Sequence, residues 1–292
     1  MPITENNEFE MLTKKLIEIS KESPTYEKLA YYIEKNYLRL IFMTAGELAS
    51  ELNISQGSVS RFFITLGFRG YNDFLRSLQK LVSEKITAPQ RLEYTATGTK
   101  IDSTISVEIG NMCELDRLMH EEAYQKIIDC LISDKDLFII SARMSATLIP
   151  YMRYILCKMR DSVYEITPDS IAWDTINLRD PQKTEIFAIA FPRYPRILVN
   201  KIKNLHESGF HISAITNSRL SPIIPFCDNV IDVPITVSSI FDIYSTPMAF
   251  INLMLRDTAK KIPSLEERLN RIEKNEEESG AYYKMGKRIT ID

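Results

Sequence analysis

The rhythm of apolar and polar positions changes twice along this 292-residue chain. Up to about residue 82, apolar residues recur at steps of three and four, the period of an amphipathic helix. Helices are expected over 8–22 and 25–38. The second carries Tyr26, Leu29, Ala30, Ile33 and Tyr37 on one stripe, and Pro24 precedes it where a helix start tolerates proline. In "TAGELASEL", Thr44 and Glu47 have the spacing of a capping box, in which each side chain satisfies a free backbone donor. Leu48, Ala49 and Leu52 follow as one apolar face. Asn53 is placed to end that helix and Ser55 to cap the next. The two helices are then about three residues apart, the spacing of a helix-turn-helix. In the second of them Val59, Phe62, Phe63 and Leu66 stand at i, i+3, i+4 and i+7, while Gly57, Ser58, Ser60, Arg61 and Thr65 fall largely on the other side. Gly67 closes it, and "YNDFLRSLQKLV" begins another.

The segment 83–101 contains Pro, Gly and several Thr and interrupts the helical rhythm, as a linker does. Helices over about 102–119 and 121–132 follow. From Asp136 the texture changes to short apolar runs of strand length: "DLFIISA", "SVYEI", "EIFAIAF", "HISAITN" and "NVIDVPI". Helical stretches separate most of them, which indicates a mostly parallel sheet covered on both faces. A helix near 245–260 closes this unit, and 263–292 reads as one amphipathic helix and a frayed tail. The expected architecture is an α-helical helix-turn-helix domain over 1–82, a linker over 83–101, an α/β three-layer sandwich with a mostly parallel sheet over 102–262, and a C-terminal helix and tail over 263–292.

Composition bounds the function without naming it. Apolar content of 45% and charged content of 26% are those of a globular protein. A net charge of −3 gives no whole-chain sign of nucleic-acid binding, so local charge carries the question. Between Asn53 and Lys85 there are five cations, Arg61, Arg69, Arg76, Lys80 and Lys85, against Asp73 and Glu84. The start of the chain lacks the apolar run of a signal peptide, and no stretch is long enough to span a bilayer. Cys113, Cys130, Cys157 and Cys227 form no C-x-x-C pair and sit among apolar neighbours. Reduced core thiols in a cytoplasmic protein, with no metal site and no membrane partner, are expected. His120, His206 and His211 do not cluster, and the last two are expected to be solvated. There is no H-E-x-x-H, no G-x-x-x-x-G-K-[ST], no G-x-S-x-G and no G-x-G-x-x-G. Glu165 and Asp169 near strand ends are ordinary, and Trp173 reads as packing. No catalytic residue and no cofactor are expected.

Two places have the right residues for binding. The second helix of a helix-turn-helix enters the major groove and presents its first residues to base edges. Gln56, Gly57, Ser58, Ser60 and Arg61 are short or hydrogen-bonding, and a helix N-terminus favours phosphate. The pattern alone fits either this role or a packing element with a solvated polar face. In an open parallel sheet, ligands bind outside the carboxyl ends of the strands. There the chain has Ser141-Ala142-Arg143-Met144-Ser145, then Phe191-Pro192-Arg193-Tyr194-Pro195-Arg196, then Thr216, Asn217 and Ser218. Hydroxyls and arginines at helix starts suit a phosphate or carboxylate. The same serines also serve as helix caps, and the same arginines as surface charges.

The two halves together resemble the RpiR/MurR-type bacterial transcriptional regulators, over roughly residues 8–260. "S-x-x-[ST]-V-x-R-F" followed by "L-G-F-x-G-Y-x-[DE]-F" is met by Ser55, Ser58, Val59, Arg61, Phe62, Leu66, Gly67, Phe68, Gly70, Tyr71 and Phe74. The resemblance implies a DNA-binding set of Thr44, Ser55, Gln56, Gly57, Ser58, Ser60, Arg61, Arg69 and Tyr71. Within it Arg69 and Tyr71 would touch the DNA backbone. The second half is similar to a sugar isomerase (SIS) domain. "LFIISARMSA" resembles its phosphosugar loop, with Ser145 matching the loop serine and Ser141 and Arg143 standing where glycines are usual. "AIAFPRYPRILV" resembles "S-F-P-R-Y-S-R-E-T", with Ala190, Pro195, Ile197 and Leu198 replacing Ser, Ser, Glu and Thr. "AITNSRLSPI" keeps Thr216, Ser218, Ser221 and Pro222. The implied effector set is Ser141, Arg143, Ser145, Arg193, Tyr194, Thr216 and Ser218, for a sugar phosphate or related anionic sugar. The implied partners are double-stranded operator DNA and a second copy, as a homodimer or homotetramer. Each lost charge-assisted hydrogen bond to phosphate is worth about 1.5–3 kcal/mol, and Pro195 removes a backbone donor. Arg143 then compensates by pairing with an anion, or fills the pocket, or the domain serves mainly to dimerise.

Overall fold

A computed structural model describes residues 5–82, 86–96, 101–237 and 239–283. The rest of the expected linker and of the tail lies outside the described residues. The N-terminal helices are α1 (Glu5–Ile19), α2 (Pro24–Leu40), α3 (Ala45–Glu51), α4 (Gln56–Thr65) and α5 (Tyr71–Val82). Their apolar stripes meet in one aromatic core: Phe63 packs on Phe74 at 4.5 Å and on Tyr71 at 5.1 Å, and Phe62 on Tyr26 at 5.1 Å between ring centroids. Val59, Phe62 and Phe63 are fully buried, as the i, i+3, i+4 spacing requires.

Helix α6 (Ala88–Ala96) forms inside the segment 83–101. Its start is a Thr-x-x-Gln box: Gln90 Oε1 accepts from Thr87 N at 2.9 Å and from Thr87 Oγ1 at 3.0 Å. The helix expected over 102–119 is two, α7 (Ile101–Cys113) and α8 (Leu115–Met119). The chain turns at Glu114, whose carboxylate lies 3.7 Å from Arg76 and 3.5 Å from Arg117. Helix α9 (Glu122–Ile132) leads into the sheet.

The sheet holds β1 (Asp136–Ile140), β2 (Val163–Ile166), β3 (Thr184–Ile189), β4 (His211–Thr216) and β5 (Asn229–Asp232), in the order β2-β1-β3-β4-β5. All four pairings are parallel, with Phe138 opposite Ile186 and Ala188 opposite Ala214. Successive side chains alternate between faces. Leu137, Ile139, Phe187 and Ile189 join the core under α9, α10 (Ile149–Met159) and α13 (Ser245–Lys261). Phe138, Ile140, Ile186 and Ala188 join a second core with α11 (Ile171–Thr175) and α12 (Arg196–Glu207). Trp173 belongs to that second core. This is the three-layer α/β sandwich expected from the strand-length runs. The larger core continues without a break into the N-terminal helices. Helix α14 (Leu265–Glu278) packs against α10, where Lys158 pairs with Glu276 at 3.1 Å.

Two expectations change. Cys113 and Cys157 are exposed rather than core thiols, because their helix faces point away from the sheet; Cys130 is buried and Cys227 half-buried. Burial pushes both the Cys130 and the Cys227 thiol up to about 12. His211 is not merely solvated. Its Nδ1 lies 2.6 Å from Glu185 Oε2, and Lys135 Nζ donates to Glu185 Oε1 at 2.7 Å.

Candidate functional site

The outer face of α4 is built by two caps. Thr44 Oγ1 accepts from Glu47 N at 3.0 Å and Glu47 Oε2 accepts from Thr44 N at 2.7 Å, completing the capping box of α3. Asn53 takes a left-handed backbone, φ +53°, which asparagine tolerates, and turns the chain toward α4. Ser55 Oγ accepts from Ser58 N at 3.1 Å and lies 2.8 Å from Ser58 Oγ. The first turn of α4 carries no acidic side chain, so the positive end of its dipole is unopposed by its own residues. Ser55, Gln56, Gly57, Ser60 and Arg61 are exposed and Ser58 half-buried. Arg61 reaches back to Ser58 Oγ at 3.4 Å. Arg69 is exposed just before α5, and its backbone N–H donates to Asp73 at 3.0 Å. Burial pushes the Asp73 carboxyl up, but that bond and Arg76 outweigh it and hold the carboxyl below its usual range.

Two of the candidates do not join this face. Tyr71 is only 5% exposed, and its hydroxyl donates to the carbonyls of Leu40 and Met43 at 3.2 and 2.9 Å. Burial raises its pKa well above the ordinary value, so it is a neutral strut between α2 and α5 and not a phosphate contact. Thr44 is half-buried with its hydroxyl committed to the capping box.

At the carboxyl ends of β1 and β3 lies a cavity of about 360 Å3, lined among others by Arg143, Ser145 and Arg193. Arg143 and Arg193 are exposed. Arg143 has φ +59°, the left-handed conformation that a glycine adopts at no steric cost. The loop thus keeps a glycine's backbone with an arginine in place. Ser145 lies beneath: its Oγ accepts from Phe191 N at 3.2 Å and sits 3.3 Å from Tyr244 Oη. Burial pushes the Tyr244 hydroxyl up to about 12.

The other four candidates are not among the residues lining this cavity. Ser141 is fully buried and donates to Ile189 O at 2.6 Å, tying β1 to β3. Tyr194 Oη donates to Asn217 Oδ1. Thr216 is fully buried, and Ser218 Oγ accepts from Leu220 N at 3.1 Å as a turn cap. The loop after β4 therefore stands apart: Ser218 caps its own turn, and the Thr216 hydroxyl is enclosed without a hydrogen-bond partner among the described residues. In its place the cavity gains Arg91 of α6 and Asp242, joined Nη1 to Oδ1 at 2.5 Å. Neither was picked out from the sequence. The Thr87-x-x-Gln90 helix start was the available signal for Arg91; Asp242 had none.

Among the described residues, no group of three or more His, Cys, Asp and Glu is placed to hold a metal ion, and no helix is long and apolar enough to cross a membrane.

A helix-turn-helix domain model of the rpiR family matches residues 11–85, and a SIS domain model matches residues 130–256. Among solved structures, the chain is similar to the sugar isomerase domain of an RpiR transcription factor from Sphaerobacter thermophilus. That match has 17% identity and a TM-score of 0.53, over 59% of this chain and 97% of that one. It is also similar to the Vibrio vulnificus NanR protein complexed with ManNAc-6P, at 14% identity and a TM-score of 0.53, over 91% of this chain and 98% of that one. At these identities the likeness is one of fold. None of the curated proteins matches the sequence at a significant level.

Proposed function

The chain belongs to the RpiR-type DNA-binding regulators, an rpiR-family helix-turn-helix domain joined to a SIS domain, and from that premise we propose that a sugar phosphate or related anionic sugar sets its affinity for a specific operator. In this reading residues 1–82 bind DNA through Ser55, Gln56, Gly57, Ser58, Ser60 and Arg61, with Arg69 on the backbone. Residues 102–262 hold the effector and pair two copies, and the protein works in the cytoplasm without chemistry of its own. The observation that carries the effector half is the cavity at the sheet edge, where Arg143 and Arg193 offer two guanidiniums above the buried Ser145. Arginine forks suit a phosphate monoester, and the cavity's size suits one sugar. The NanR protein's complex with ManNAc-6P adds a fold-level precedent. An isomerase needs a positioned base. The cavity's carboxylate, Asp242, is already engaged by Arg91.

A second reading, in which the SIS domain only assembles the protein, draws on Ser141, Tyr194 and Ser218 being spent on internal hydrogen bonds and on Thr216 being fully buried. Thermal melting separates the two. Hexose 6-phosphates, ManNAc-6P and acidic sugars are added in turn. An effector at a hundred times its dissociation constant adds about 2.7 kcal/mol to stability. A full set with no shift in melting favours assembly alone.

A further inference from the structure

Helix α6 joins the two halves of the molecule through two side chains one turn apart on the same side of the helix. The ring of Tyr94 packs against Phe42 at 5.5 Å between centroids, and Phe42 is buried in the core of the N-terminal helices, just after α2. One turn earlier Arg91, 4% exposed, lines the anion cavity and is paired with Asp242, whose own side chain is 10% exposed. A guanidinium enclosed in this way needs an acceptor at all times. In this structure one acceptor is a carboxylate, that of Asp242, on the segment that leads into α13. The phosphate of a bound sugar would arrive in the same cavity as a competing anionic acceptor, since two of its oxygens can accept from the guanidinium fork as a carboxylate's do.

We infer that Arg91 is an effector-binding residue and the point at which the effector acts on the DNA-binding half: the sugar phosphate competes with Asp242 for Arg91, and the exchange moves α6 against Phe42. The inference rests on the reading of the cavity as a phosphate-ester site. It makes the Arg91–Asp242 pair the latch of the effector-free state. A ligand shifts an equilibrium only by binding one state better than the other. The difference between the states is the partner of a single enclosed guanidinium. Arg143 and Arg193, by contrast, sit on loops of the sheet domain itself and hold the ligand without reaching the linker.

The test measures binding of glucose 6-phosphate, ManNAc-6P and inorganic phosphate by calorimetry, and operator affinity with and without a saturating sugar phosphate. Wild type is compared with Arg91→Ala, Asp242→Asn and Arg143→Ala, each checked for folding by circular dichroism. Arg91→Ala should weaken sugar-phosphate binding about tenfold or more and abolish the change in operator affinity even at saturation. Asp242→Asn should tighten binding and bring the effector-free operator affinity toward the liganded value. A merely structural pair cannot produce that gain. Arg143→Ala should weaken binding but keep the full operator response once saturated. If wild type binds none of the three probes, the cavity reading fails and this inference with it. If wild type binds and Arg143→Ala weakens it, while Asp242→Asn leaves affinity and operator response unchanged, the cavity reading stands and the latch is overturned.

Discussion

At Gly57 an added methyl group would meet only Arg61 Nη1 and Ser55 Oγ, each at 3.8 Å, which is ordinary contact. The backbone there is helical and any L residue can adopt it. Gly67, with φ +100° at the end of α4, is different, since a side chain there would be strained. Nothing within the fold therefore calls for glycine at 57, and it costs about 0.5–1 kcal/mol relative to alanine in a helix. Gly57→Ala should raise the melting temperature and at the same time weaken operator binding, because the first turn is where a recognition helix comes closest to DNA. Equal operator affinity in the two proteins would show that this face does not meet DNA. Arg61 tests the same face from the side of charge. It is exposed and donates to a neighbouring serine hydroxyl, so Arg61→Ala should leave melting nearly unchanged. Operator affinity should fall by about 1–3 kcal/mol if the guanidinium reads a base. If it grips a phosphate, the loss should be uniform across sequences, with a shallower salt dependence.

The strands were legible because burial on both faces makes them short apolar runs; β1, β2, β4 and β5 fall within the stretches that pattern marks, and β3 begins one residue earlier, at Thr184. The helix-turn-helix was legible because caps are local: Thr44 with Glu47 and Ser55 with Ser58 act within one turn. Helix α6 was not, since its Pro, Gly and Thr neighbours have a linker's composition and its position depends on distant partners, Phe42 and Asp242. The break between α7 and α8 has no Gly or Pro at Glu114 itself, although Gly110 stands one turn earlier; long-range pairing of Glu114 with Arg76 accompanies it. Ser141, Tyr194, Thr216 and Ser218 fall outside the cavity lining, while Ser145 lines it, for a related reason. Whether Ser141 faces ligand or Ile189 O depends on strand register, which spacing along one strand does not reveal. The start of β3 carries another such pairing, with a pH consequence. Burial pushes the Glu185 carboxyl up, but hydrogen bonds from His211 and Lys135 outweigh it and leave it below its ordinary value. His211 is raised above 6.5, first by its bond to Glu185, with burial opposing. A raised histidine contributes stability that is complete below pH 6.5 and is lost as pH rises through the raised value; a lowered carboxyl loses its contribution as pH falls through the lowered one. Melting temperature should therefore decline on going from pH 6 to pH 8 in the wild type, and less so in His211→Gln. Parallel profiles in the two proteins would exclude the pairing as the cause.

A second copy of the chain matters because one helix-turn-helix touches one half-site, and two linked heads gain from each other. Coupling two binding modules raises overall affinity by roughly 10²–10⁴ without any new contact, provided both heads reach the DNA at once. In the proposed two-copy arrangement, helix α7 would offer the surface for this. Ile105, Ile109 and Met112 stand at i, i+4 and i+7 and are 51%, 58% and 41% exposed, a stripe at helical spacing on the side opposite the buried Val107 and Asn111. The helix is also rigidly seated. Glu108 is buried and accepts hydrogen bonds from Ser245 and Thr246 at the N-terminus of α13, where a carboxylate meets the positive end of the helix dipole. A stripe fixed in this way to the sheet domain would set the distance between two heads, and a two-fold axis through it would make the operator a palindrome. Ile109→Glu places a charge in the middle of the stripe and touches nothing in the core. If two copies pair through α7, sedimentation should show a dimer for the wild type and a monomer for the variant at the same concentration, with an unchanged circular dichroism spectrum. Affinity for a full operator should fall by about the linkage factor of 10²–10⁴, while affinity for an isolated half-site should stay the same. A variant that remains dimeric, or that loses half-site binding as well, would move the pairing surface off α7.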